Sequence, residues 1–122
     1  MHNVKNTTIV VLAMSASIFF GAGQALGHAQ LMHADPGANA TVAAPKSIVL
    51  HFNEALEARL SSFKLTNTDG EAIAVTPAAS SDSKALAAAP SAPLAPGLYT
   101  ISWTVAGSDG HPMKGTYSFT VK

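Results

Sequence analysis

The chain contains no cysteine, which excludes a disulfide scaffold and a thiolate zinc site together. It is also poor in charge. Only 11% of its residues are Asp, Glu, Lys or Arg, seven acidic against seven basic, too few and too evenly signed for a nucleic-acid binder carried by a basic patch. No paired carboxylates, Ser-His-Asp set or phosphate-cradling loop stands out, so the sequence argues for a non-enzymatic protein. What it has instead is apolar content: 48% of 122 residues are hydrophobic, too many for a disordered chain.

Part of that content sits at the start. Met1 to Lys5 is basic without an acid, Ile9 to Phe20 (IVVLAMSASIFF) is apolar or small throughout, and Gly21 to Gly27 breaks the run. Ala25 and Gly27 put small side chains three and one positions before His28, the pattern of a secretory signal peptide cut between Gly27 and His28. A membrane span needs about 20 apolar residues, more than this run supplies. The expectation is therefore a cleaved leader over 1–27, export into an oxidising compartment, and one mature domain over 28–122 that is not inserted in a membrane. A domain of that size buries roughly 60–70% of its unfolded surface, enough for one core. Without cysteine, any metal it binds is held by nitrogen, oxygen or thioether.

Beyond the leader, the apolar period is two. Ile48, Leu50 and Phe52 alternate with Val49 and His51; Tyr99, Ile101, Trp103 and Val105 with Thr100, Ser102 and Thr104; and Tyr117, Phe119 and Val121 with Ser118, Thr120 and Lys122. These are strands with one face toward a core. Shorter strands are expected at Phe63 and Leu65, at Ile73 and Val75, and weakly at Ala85 to Ala89. Asp35-Pro36-Gly37, Thr68-Asp69-Gly70, Ala95-Pro96-Gly97 and Ser108-Asp109-Gly110-His111-Pro112 punctuate them as turns, and together they predict an all-β antiparallel sandwich. Glu54 to Leu60 has a helical pattern of about two turns and reads as a connector. Pro77 to Pro96, rich in Ala, Ser and Pro, reads as a mobile loop with a weak edge strand.

Five histidines are present; His2 lies in the leader. His51 falls on the outward side of its strand and reads as a surface residue, as does His33 ahead of the Asp35-Pro36-Gly37 turn. His28 is different. Cleavage would leave it with a free α-amine that closes a chelate ring with its imidazole Nδ1, and neither group needs to lose many protons at neutral pH. Asp109 and His111 flank Gly110 so that both side chains converge on one side of a tight turn. Three nitrogens and one oxygen make a set that favours Cu(II) over tetrahedral Zn(II).

The mature start HAQLMHADPGANA, the segment LHFNEALEARLSSFKLTNTDG and the stretch LAPGLYTISWTVAGSDGHPMKGTYSFTV resemble the CopC family of periplasmic copper-binding proteins over essentially the whole mature chain. The resemblance implies an immunoglobulin-like or cupredoxin-like Greek-key β-sandwich or barrel of about seven or more short strands. It also implies one Cu(II) ion per mature chain and a role in copper homeostasis, resistance or delivery, with a membrane copper transporter as candidate partner and the protein itself a monomer. Residue by residue, His28 matches the N-terminal ligand, Asp109 and His111 match the Asp and His of a DGHP motif, and Glu54 matches an acid sometimes set beside the copper. Glu54 also reads as a solvated turn residue.

Two departures stand out. Many members begin HAH, whereas Gln30 occupies the third mature position here, so any role of that second histidine is absent unless His33 substitutes. Some members hold Cu(I) in a methionine-rich central loop, and Thr66 to Pro96 has no methionine. Two other readings remain beside the carrier: a copper oxidase, because an N-terminal histidine chelate resembles the metal brace of polysaccharide monooxygenases, and a metal-free immunoglobulin-like interaction module.

Overall fold

A computed structural model describes residues 28–122; the expected leader, 1–27, lies outside the described residues. Their strands are β1 (Leu31–Asp35), β2 (Thr41–Val42), β3 (Ile48–Phe52), β4 (Ser62–Asn67), β5 (Ala72–Ile73), β6 (Ala78–Ala79), β7 (Ala85–Ala88), β8 (Gly97–Ala106) and β9 (Pro112–Val121). Alternation becomes burial as expected. β3 sends Ile48, Leu50 and Phe52 inward, β8 sends Tyr99, Ile101 and Val105, and β9 sends Phe119 and Val121. Trp103 is half-buried on the inward face of β8 and meets Phe52 edge-on, centroids 5.5 Å apart at 77°.

Two sheets face each other across this core, in the orders β1-β3-β7-β6 and β2-β9-β8-β4-β5. The chain changes sheet between β1 and β2, β2 and β3, β3 and β4, β5 and β6, and β7 and β8, which makes an open Greek-key sandwich rather than a closed barrel. Ile48, Leu50 and Leu86 from one sheet meet Leu65, Ile101, Val105 and Phe119 from the other, all with almost no exposed surface. Each such side chain contributes about 1.5–3 kcal/mol by leaving water, so the domain needs no cross-link.

The structure corrects the sequence reading at two places. The sandwich is not wholly antiparallel, because β2 runs parallel to β9, Thr41 opposite Thr120 and Val42 opposite Val121. The Thr120 and Lys122 amides donate to Ala40 and Val42 carbonyls at 2.8 and 2.9 Å, so the short strand satisfies one side of β9. Second, Pro77 to Pro96 holds two strands rather than a mobile loop: the one expected weakly at Ala85 to Ala89 forms as β7, but not at an edge. β7 lies inside its sheet, between β3 and β6, with Leu86 at 1% exposure and Ala88 at 5%. Its small side chains fit a closely covered site where larger ones would crowd, and the turn before it is tied down: Asp82 Oδ1 accepts from Ser80 Oγ at 2.6 Å and from the Lys84 amide at 3.0 Å. Those two bonds hold the Asp82 carboxyl below the usual range. The Glu54 to Leu60 segment is the expected connector, with a single 3-10 turn at Ala58–Leu60.

Candidate metal centre

The β8–β9 connection carries two of the expected ligands. Gly110 adopts φ 75°, a left-handed conformation that glycine takes without strain, and its amide donates to the Gly107 carbonyl at 3.0 Å. This turn folds Asp109 and His111 toward each other. Asp109 Oδ1 accepts from the His111 amide at 3.1 Å, and Oδ2 lies 3.0 Å from His111 Nδ1. Both bonds stabilise the carboxylate, and His28 adds a favourable charge, so Asp109 ionises below the usual carboxylate range. An ionised carboxylate accepts, so Nδ1 carries the proton and Nε2 keeps the ring's lone pair. The side chain of His111 is 71% exposed, leaving that nitrogen open to an incoming ion.

His28 faces this pair. Its ring stacks toward that of His111 with centroids 6.0 Å apart and planes 27° from parallel. The segment bearing it is held by the exit of β3: the Gln30 amide donates to Asn53 Oδ1 at 2.8 Å, the Asn53 amide to the Gln30 carbonyl at 3.1 Å, and Asn53 Nδ2 to the His28 carbonyl at 3.4 Å. Ala29, between them, is fully buried. Asn53, which positions this segment, is a residue the sequence reading did not single out.

Among the described residues two buried side-chain polar atoms have no hydrogen-bond partner, His28 Nδ1 and Glu54 Oε1. Leaving such atoms unsatisfied costs about 1–3 kcal/mol each, and groups of this kind call for a ligand or another specific reason. Both belong to residues expected to ligate, and His28 Nδ1 is the very nitrogen the chelate uses. Among the described residues no three His, Asp or Glu side chains already converge on a common point. His28, Asp109 and His111 are brought together as neighbours; Glu54 follows the Asn53 latch in the chain. His33 is not gathered with them, because its ring packs on His51.

Comparison with known proteins agrees with this architecture. The family model described as the CopC domain matches residues 31–122. Copper resistance protein C of Xanthomonas campestris pv. juglandis is 38% identical over 123 residues, covering 95% of this chain and 94% of that protein. Protein YobA of Escherichia coli K12 is 44% identical over 98 residues, 78% of this chain and 79% of YobA. Among solved structures, PcoC, a methionine-rich copper resistance protein from Escherichia coli, superposes with a TM-score of 0.73 at 38% identity, covering 78% of this chain and 99% of PcoC. CopC from Methylosinus trichosporium OB3b does so with a TM-score of 0.73 at 32% identity, over 78% of this chain and 94% of that one.

Proposed function

Because the chain belongs to the CopC family, we propose that it is a periplasmic, non-enzymatic copper-binding protein that takes up one Cu(II) ion per mature chain for copper homeostasis, resistance or delivery. The observation that carries this reading is the buried, unpartnered His28 Nδ1 set 6.0 Å, ring to ring, from His111. The residues fit the cargo. His28 offers Nδ1 and, once the leader is removed, its α-amine; His111 offers Nε2; Asp109 offers an ionised carboxylate; and Glu54 offers an unpaired oxygen. Hard oxygen and imidazole nitrogen donors favour Cu(II), while soft thioethers would be needed to favour Cu(I).

The role of each group follows from its setting. Asp109 fixes the His111 tautomer, so the open nitrogen is the one that faces outward. The exposed His111 side chain is the natural point for handing the ion to a partner, for which a membrane copper transporter is the candidate. An anionic oxygen in the set stabilises the divalent ion against reduction, which suits a carrier better than a redox catalyst.

Titration of the processed protein with Cu(II), followed by electron paramagnetic resonance, tests the proposal. Adding one residue ahead of His28 is expected to weaken binding by orders of magnitude and to remove one nitrogen from the spectrum. His111→Ala is expected to cost no less than the roughly 10–100-fold that loss of a supporting group costs a metal site. Unchanged affinity in the extended protein would sink the chelate, and unchanged affinity in both variants would leave the metal-free interaction module.

A further inference from the structure

A second pair of histidines sits on the outer face of the four-stranded sheet, apart from the site above. His33 of β1 and His51 of β3 are direct register partners, and their rings stack with centroids 4.2 Å apart and planes 27° from parallel. The pairing depends on an irregularity. The register shifts between Leu31, opposite Phe52, and His33, opposite His51; without the shift His33 would face Leu50, whose side chain is fully buried. Met32 is the extra residue of this bulge and is 64% exposed. A bulge re-aims the side chains that follow it, and here it turns His33 to the solvent face where His51 points.

We propose that His33 and His51 form a second divalent-cation site, for which Cu(II) is the best-suited ion. Opposed residues on one face of an antiparallel pair have Cβ atoms about 4.5–5.5 Å apart. Imidazole nitrogens bind such ions at about 2.0–2.1 Å, so one ion bridges two nitrogens up to about 4 Å apart. With centroids 4.2 Å apart, the two rings are close enough for modest turns to bring one nitrogen of each within that span. The outer torsion of histidine is broad and soft, so the rings turn their nitrogens onto a common ion without moving either strand. His33 is exposed and His51 half-buried, which leaves the site open, with water completing the coordination. Imidazole pairs take copper, nickel and zinc, and the order of affinities favours Cu(II). With two protein ligands in place of a chelate and its partners, this site fills after the first. The chain would then bind a second ion only when free copper is high, and so extend the range of concentrations it buffers.

The test uses residues 28–122 titrated with Cu(II) against a competing chelator, with electron paramagnetic resonance and histidine proton resonances as readouts. Two equivalents are expected, and the His33 and His51 resonances broaden together during the second. His33→Asn and His51→Asn should each weaken the second equivalent at least tenfold, and the double variant should lose no more than either single one, because both remove the same site. The first equivalent and the thermal midpoint without metal should not change. In His111→Ala the pair should still take one ion, so failure of the first site and failure of this one are separately visible. A single equivalent in the unaltered protein, or a second equivalent that survives both histidine substitutions, would overturn the proposal.

Discussion

Tyr117 joins the two sheets with one hydrogen bond. Its hydroxyl, carried on β9, donates to the Pro36 carbonyl just past β1 at 2.9 Å. Burial first, and the Asp35 carboxylate second, push its ionisation up to about 12. A phenol in the unfolded chain ionises near pH 10, so the folded state holds its proton more tightly. The stability from this difference is complete below about pH 10 and is lost as pH rises through 12. Tyr117→Phe is expected to cost about 0.5–1.5 kcal/mol at neutral pH and to flatten the alkaline loss. Urea unfolding at pH 7 and at pH 11 measures both. Asn53 acts on another residue rather than on the ion, so Asn53→Ala should weaken Cu(II) binding by roughly tenfold while leaving the paramagnetic spectrum unchanged. A changed spectrum would mean that Asn53 alters the donor set itself. The candidate ligands His28, Asp109 and His111 could be picked out because their signals are local: an expected cleavage pattern points to one and a three-residue turn to the others. Asn53 and the His33–His51 pair were not, because each depends on the register of β1 against β3, which one residue of bulge decides.

At the scale of elements, β3, β8 and β9 were readable because large apolar residues alternate with polar ones. β7 was only weakly readable because alanine gives no contrast between faces and is depleted in strands; its position between β3 and β6 is what reveals that Leu86 is core. Leu86→Ala should therefore cost about 2–5 kcal/mol, whereas the same change in a solvated loop would cost within about 0.5 kcal/mol. Chemical denaturation separates the two outcomes. The parallel β2–β9 contact was likewise unreadable, since two residues carry no periodicity. Gly115 marks a different constraint. It lies opposite Trp103 across β8 and β9, and a Cβ there would run into the indole ring. Gly115→Ala should shift Trp103 and destabilise by about 1–3 kcal/mol, the usual cost of overfilling a packed site, with a change in tryptophan emission as its sign.

For the molecule as a whole, the pairings that define the sandwich join distant parts of the chain: β4 lies on β8, β2 on β9, and β3 on β7. Such topologies close long loops before they gain contacts and fold in milliseconds to seconds. Stopped-flow refolding followed through Trp103 should fall in that range. The same topology bears on the first residues of the proposed mature chain. Chain ends ordinarily fray and must lose their freedom before they grip anything. Here the triple latch to Asn53 has already removed that freedom from His28 to Gln30. Under the proposed function an arriving ion has only side chains to gather, since the backbone that carries His28 is already held, so less of its binding free energy goes into ordering the chain. On that same proposal, capture speed depends on the ion shedding its own water, and release depends on how readily a recipient displaces His111 from its exposed side.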